Sequence, residues 1–359
     1  MTKLSTISCD YFPTCPGCQF QENVTQPPIA LELQTQFTFP LFHKEIIHWR
    51  TRAKLAVRGD AQIGLFKRGT HDVVDIATCP LHHPAIYHAI PLLKKALKEC
   101  NIPSYNEQTH EGLLRYVQFV VERDTGLVQL TLVVKENKNL QPLIQNLSKQ
   151  KIWHSIWTNV QPLPINRIFG DTWHHSFGNE NLYETLGGNQ ICFHPACFGQ
   201  AHLSLFEDLL TSIQKKILPQ QRVVEFYAGV GVIGLSVAPL SKSVLCVEMN
   251  PFAKESFEKS SPPSNASFLE APTENALGLL NEADVVIVDP PRKGLEKTFL
   301  EALNNSPAKQ LIYVSCGPRS FKRDQEFLLE AGWKMENLEG YLLFPGTDHV
   351  ELLGVFERK

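Results

Sequence analysis

The 359-residue chain lacks a strong charge of either sign, an apolar run long enough to cross a bilayer, an internal repeat and a low-complexity tract. Each absence removes a class of protein. A net charge of −3 gives no global signature of a nucleic-acid binder. Without a long apolar run there is no candidate transmembrane helix, and the opening MTKLSTISCDYFPTCPGCQF has no uninterrupted apolar core of the kind a secretory signal needs. The expectation is a cytoplasmic protein with no membrane partner. At 43% hydrophobic and 20% charged residues, the composition fits a globular chain with room for two or three domains.

Cysteine is not scarce. Nine are present, and in a reducing compartment they need a reading other than disulfides. Cys9, Cys15 and Cys18 form C-x5-C-x2-C, and Cys79 follows after a long gap in ATCPLHHP. Four thiols so arranged point to a metal or cluster site, and zinc satisfies the count. Cys100, Cys192, Cys197 and Cys246 read as packing residues.

The near-neutral average hides a local excess of positive charge. Between Phe42 and His71 stand Lys44, Arg50, Arg52, Lys54, Arg58, Lys67 and Arg68, against only Glu45 and Asp60. Such a stretch suits a phosphate-binding face, and suits a solvated strand pair equally well. Around it, AKLAVRGDAQIGLFKRG and RYVQFVVERDTGLVQLTLVVKE have strand-like runs broken by turns, while LHHPAIYHAIPLLKKALKEC has helical spacing. This half, residues 1–190, reads as an α+β domain.

From residue 191 onward the pattern changes. A helix, LSLFEDLLTSIQKKIL, precedes the strands RVVEFY, SVLCVEMN, ADVVIVDPP and QLIYVSC, with a final pair in ENLEGYLLF and ELLGVFER. Strands separated by helical segments predict a doubly wound, Rossmann-like parallel sheet over residues 191–359. SSPPSNAS, residues 260–267, reads as a surface loop.

In EFYAGVGVIG, Gly229, Gly231 and Gly234 follow a strand with G-x-G-x-x-G spacing, and Glu248 ends the next strand. Glycines there let backbone approach a ligand, and the acid bonds ribose hydroxyls, which suits NAD as well as S-adenosylmethionine. Glu225 favours the second, since a carboxylate attracts a cationic cofactor and repels a pyrophosphate. DPPRKG favours it too, because it carries Asp289 to the same edge. Ligands of doubly wound sheets sit outside the carboxyl ends of the strands, so Glu225, Glu248, Asp289 and Cys316 are expected to face one crevice. Glu351 joins them if the last strand runs antiparallel and begins where the others end.

With EFYAGVG, DPPRKG, YVSCGPRSFKRD, FPGTDHVE and CFHPACFGQAH in place, the C-terminal half resembles the S-adenosylmethionine-dependent RNA uracil-5-methyltransferases. DYFPTCPGCQ, HWRTRAKLAVRGD and VVDIATCPLHHP carry the resemblance into the first half. It implies that Cys316 is the nucleophile that adds to C6 of uracil and that Glu351 is the base that removes the C5 proton. Gln200, Tyr227, Gly229, Glu248 and Asp289 would bind the cofactor, and Phe198 with Gln200 the flipped uracil. Cys9, Cys15, Cys18 and Cys79 look like the family's [4Fe-4S] ligands, with zinc as second choice. The implied partner is RNA, ribosomal before transfer, and the implied state a monomer without an added oligonucleotide-binding module. His202 departs from the family, which usually has Asn there. An iron-sulfur NAD-dependent oxidoreductase and an RNA-binding protein without catalysis are the other readings. Amino-group methyltransferases tend to carry an aromatic where this chain has Arg292.

Overall fold

The computed structural model describes residues 5–358. The chain divides into two compact units, one of residues 1–24 and 45–182, the other of residues 25–44 and 183–359. The division differs from a single cut at 190/191. Residues 25–44 carry helix α1 (Pro28–Gln34) and strand β1 (Leu41–Phe42) into the second unit. The reason is packing: Leu33 and Phe39 belong to that unit's core, β1 pairs with its sheet, and Asp348 accepts a 2.7 Å hydrogen bond from Ile29 N.

The first unit is built on a seven-stranded sheet. Its strands are β2 (Arg52–Arg58), β3 (Gln62–Phe66), β4 (Val73–Asp75), β5 (Leu114–Val121), β6 (Val128–Val134), β7 (Trp153–Val160) and β8 (Thr172–Gly178). Their order is β4-β3-β2-β5-β6-β7-β8, and β8 is an edge. Neighbours are antiparallel except β6 and β7, which run parallel and are joined through helix α3 (Gln141–Ser148). Helix α2 (Pro84–Glu99) buries Ile86, Ala89, Ile90, Leu93, Ala96 and Leu97. That spacing makes a single apolar stripe, and it packs with Ala53, Leu55, Val117, Phe119, Leu130, Leu132 and Ile156 on one sheet face.

The basic stretch is less available than its charge suggests. Arg58 is buried, donating to Val57 O (2.7 Å), Arg115 O (2.8 Å) and the Glu107 carboxylate. Burial lowers the Arg50 pKa, with nearby thiols opposing the shift. Lys54, Lys67 and Arg68 stay exposed.

The chain returns to the second unit along a hairpin, β9 (Leu182–Leu186) and β10 (Asn189–Phe193), turned by Gly187 and Gly188 at φ +56° and +82°. Helix α4 (Leu203–Gln214) follows, then β11 (Arg222–Phe226), α5 (Val232–Val237), β12 (Ser243–Glu248), α6 (Pro251–Lys259), β13 (Ala266–Glu270), β14 (Val285–Val288), α7 (Lys297–Asn305), β15 (Gln310–Ser315), α8 (Pro318–Glu330), β16 (Lys334–Tyr341) and β17 (Glu351–Glu357). The sheet order is β1-β16-β17-β15-β14-β11-β12-β13. From β13 to β15 all neighbours are parallel, as the alternation predicts. Strand β13 begins inside the stretch read as a loop; its residues are half-buried or exposed, as an edge strand allows, so they lack an apolar run to announce it.

Candidate active site

Strand β17 decides the geometry. It enters between β15 and β16, antiparallel to both, with Ser315 opposite Leu352 and Tyr341 opposite Glu351. One further step along β15 is Cys316, level with Glu351 on the neighbouring strand. Asp289 stands one residue past the end of the adjacent β14, where Val288 lies opposite Tyr313. Cys316, Glu351 and Asp289 thus come from three neighbouring strands at one edge of the sheet.

Their charges act on one another. Burial pushes the Cys316 thiol up to about 11, the charges of Glu351 and Asp289 add to this, and Arg292 opposes it. Glu351 is 4% exposed and its Oε1 has no hydrogen-bond partner; burial, then the charge of Asp289, raises its pKa well above the usual carboxylate range. Burial brings Asp289 to about 7. Arg292 Nη2 lies 3.2 Å from His349 Nε2. Burial and the arginine charge lower that imidazole's pKa, so the neutral ring accepts.

The loop that bears Asp289 and Arg292 is clamped from α8. Asp324, fully buried, accepts from Leu295 N (2.8 Å) and Tyr313 OH (2.7 Å), while Arg323 donates to Lys293 O (2.9 Å) and Ser320 Oγ to Arg292 O (2.9 Å). A Cβ on Gly294, at φ +77°, would meet Asp324 Oδ2 at 2.5 Å, and one on Gly317 would meet Arg292 O at 2.6 Å. Glycine at both positions is what lets helix and loop close. SFKRD belongs to the YVSCGPRSFKRD stretch, but nothing in the sequence marks Asp324 as the residue that secures this loop.

On the cofactor side, Tyr227, Gly229 and Gly231 take φ of +60°, +53° and +79°, a tight turn between β11 and α5. Glu248 at the end of β12 accepts from Gly229 N (3.2 Å), Met249 N (2.9 Å) and Asn250 N (3.0 Å). Met249 beside it is 67% exposed, an apolar surface the sequence did not flag. Glu225 departs from expectation. It is 1% exposed inside β11, and its Oε2 accepts from Gly234 N (2.8 Å) and Cys246 Sγ (3.3 Å). Burial raises it to about 8. It braces the glycine turn from beneath instead of offering a charge to the crevice.

Gln200 is 9% exposed with its Oε1 unpartnered, and Phe198, two residues earlier, is 67% exposed. A buried amide oxygen without a donor costs free energy unless a ligand supplies one. His202, 1% exposed, occupies the N-cap position of α4 with Nδ1 3.3 Å from Ser204 Oγ.

In the first unit Cys9, Cys15, Cys18 and Cys79 line one pocket with Arg50, Tyr11, Leu65, Ile76 and His82. Among the described residues no three His, Cys, Asp or Glu side chains are grouped so as to hold a metal ion. Burial and the neighbouring sulfurs push Cys18 to about 12. Gly17 N lies 3.5 Å from Cys15 Sγ, and the N–H groups of Leu81 and His82 donate to Cys79. The donor set is soft, desolvated and supplied with N–H···S contacts, which fits an iron-sulfur group.

Comparison with known proteins bears on the family. The family model described as tRNA (uracil-5-)-methyltransferase matches residues 279–359, the segment that holds Asp289, Cys316 and Glu351. An "uncharacterized RNA methyltransferase" of Protochlamydia amoebophila is 43% identical over 98% of this chain and 98% of its own length. Another, of Halalkalibacterium halodurans, is 27% identical over 98% of this chain and 83% of its own. The crystal structure of Pyrococcus abyssi tRNA (uracil-54, C5)-methyltransferase in complex with S-adenosyl-L-homocysteine superposes with a TM-score of 0.82 at 26% identity, covering 96% of this chain and 86% of that one. The strand-end arrangement of Asp289, Cys316 and Glu351 and these likenesses lead to one conclusion: the chain belongs to the S-adenosylmethionine-dependent RNA uracil-5-methyltransferase family.

Proposed function

We propose that the protein methylates C5 of a uridine in RNA through a covalent adduct between Cys316 and C6 of the base. The observation that carries this is the antiparallel entry of β17, which sets Glu351 level with Cys316. C5 of uracil is too weak a nucleophile to take a methyl group unaided. Addition of the Cys316 thiolate to C6 moves the ring electrons onto C4–O as an enolate, and C5 becomes nucleophilic. S-adenosylmethionine supplies an electrophilic methyl on a cationic sulfur. Once C5 carries the methyl group, Glu351 takes the C5 proton, the C5–C6 double bond re-forms, and the sulfur leaves C6 as thiolate. Arg292 stabilises the thiolate, and Gln200 offers its unpartnered amide oxygen to the ring N–H. Phe198 provides a face for stacking. Tyr227, Gly229, Glu248 and Asp289 form the cofactor side, and Cys9, Cys15, Cys18 and Cys79 hold a [4Fe-4S] cluster. The resemblance of the cysteine spacing to the family's cluster site supports iron-sulfur, with zinc as the second choice. The cluster serves structure, since methyl transfer moves no electrons overall.

The enzyme acts as a cytoplasmic monomer, on ribosomal RNA in the first reading. Transfer RNA is the second, favoured by the substrates named for the matched family model and the Pyrococcus protein. Incubation with cofactor and RNA containing 5-fluorouridine tests the chemistry, because fluorine cannot leave C5 as a proton does. A denaturation-resistant protein–RNA adduct is expected from the wild type and not from Cys316→Ser. An equally abundant adduct from Cys316→Ser overturns the assignment.

A further inference from the structure

The first unit carries a second feature suited to RNA, away from its cysteine pocket. In β2, β5, β6 and β7 the residues packed with α2 alternate with others on the opposite sheet face. Across that opposite face Lys54, Gln118, Thr131, Trp157 and His175 stand in register from β2 to β8; Gln118, Thr131 and Trp157 are buried, and Lys54 and His175 are exposed. The loop of residues 161–171, which joins β7 to β8, brings Phe169 to this face, with Lys54 Nζ 4.7 Å from its ring centre. Phe169 lies 4.9 Å from Trp173, and His175 lies 5.1 Å from Trp157.

The loop is tied down although its outer surface is apolar. Arg115, 1% exposed, donates to Gln161 O (2.8 Å) and Leu163 O (2.5 Å). Gln161 Nε2 donates to Arg167 O (3.2 Å) and Phe169 O (3.1 Å), and Asn159 exchanges hydrogen bonds with Gly170 in both directions. Gly170 admits no side chain, since a Cβ would meet Val160 O at 1.8 Å. So held, the loop presents Leu163 at 56% and Ile165 at 45% exposure. Arg167 is exposed beside them in an i,i+4 pair with Asp171, which water or a phosphate can replace at little cost. Fixed aromatic rings interleaved with cations bind unstacked bases and their phosphates.

We propose that the loop of residues 161–171 and edge strand β8 form an RNA-holding surface, on which unpaired bases outside the target uridine lie against Phe169 and Trp173 while Lys54 and Arg167 meet phosphates. The charge argues for RNA over an apolar protein partner. The proposal rests on the RNA methyltransferase reading and is tested by binding, so that the two can fail separately.

The intact protein is photo-crosslinked to single-stranded oligonucleotides containing 4-thiouridine, and Kd, KM and kcat are measured with ribosomal and transfer RNA transcripts for Trp173→Ala, Lys54→Gln and Arg167→Gln. Crosslinks are expected in the peptide 161–178. Trp173→Ala should weaken RNA binding about tenfold and raise KM with kcat held. Lys54→Gln should reduce the slope of log Kd against log salt by about 0.7. Crosslinks confined to other peptides overturn the proposal, as do Kd values of all three variants within twofold of wild type. A variant that keeps its RNA affinity but loses self-association assigns the face to a second copy and also overturns it. If Trp173→Ala does not fold, the wild-type crosslinks and the two charge variants decide. RNA binding and crosslinks with no uridine methylation would instead remove the proposed reaction and leave the surface standing.

Discussion

The resting site holds its thiol in the wrong protonation state, and the cofactor's charge is the natural remedy. With Cys316 near 11, only about one molecule in a thousand carries the thiolate at pH 8. At that pH Asp289, near 7, is already ionised, so a new positive charge acts chiefly on Cys316 and Glu351. A unit positive charge bound about 6 Å from a thiol, at an effective dielectric near 20, would be worth about 3 kcal/mol, or about two pH units. The thiolate fraction then rises about a hundredfold. Intrinsic nucleophilicity falls with pKa and returns about a factor of ten, which leaves a net gain of about tenfold. The perturbation is a single charge: S-adenosylmethionine against S-adenosylhomocysteine, whose sulfur is neutral. The assay follows modification of the Cys316 peptide by methyl methanethiosulfonate, without RNA, by mass spectrometry across pH 7 to 10. Faster modification with the sulfonium than with the neutral analogue is expected, and the gap should close as pH approaches the thiol's own value. Equal rates at pH 8 with both ligands bound would refute the charge argument.

Other outcomes test the parts separately. Glu351→Gln removes the base but keeps the shape, so turnover should fall by about 10² to 10⁴ while a Cys316 adduct with ordinary uridine RNA accumulates on denaturing gels; rapid turnover there would sink the role of Glu351. Glu225 has a folded value of about 8 against 4.5 for the ordinary group, so the folded chain holds that proton more tightly. Its contribution is present in full below 4.5 and is lost as pH rises to about 8; melting curves should show Glu225→Gln gaining a few kcal/mol on wild type between pH 5 and 9. Cofactor affinity of that variant at pH 7 should barely change, whereas a crevice-facing carboxylate would cost binding. Gly234→Ala drives a Cβ to within 2.5 Å of Cys246 Sγ and 2.6 Å of Glu225 Oε2, and denaturant titration should show a loss of about 1–3 kcal/mol. Cys18→Ser should lose protein-bound iron and its visible absorbance on anaerobic purification, and a full complement of iron in that variant would contradict the cluster.

Some of this was open to a reader of the sequence because it is local. Strands between helices, a glycine turn after β11 and acids at strand ends are written in short windows, since alternation and turn chemistry act over a few residues. Residues 25–44 show the limit: their apolar positions say that they are buried, but Leu33 and Phe39 find their partners more than 150 residues later. Glu225 shows another, because a carboxylate one residue inside a strand end and one at its tip look alike on paper, and only the contacts of Gly234 and Cys246 separate them.

The sequence by itself determined the doubly wound sheet and the residue types at its carboxyl edge, because periodicity and turn-forming residues dictate local conformation whatever the rest of the chain does. Only the tertiary structure decided that Glu351 stands beside Cys316, that Arg58 turns inward, and that α8 locks the loop of Asp289 and Arg292 through Asp324. Those outcomes depend on which strand pairs with which and in what register, a choice made by competition among distant surfaces and recorded at no single position in the chain.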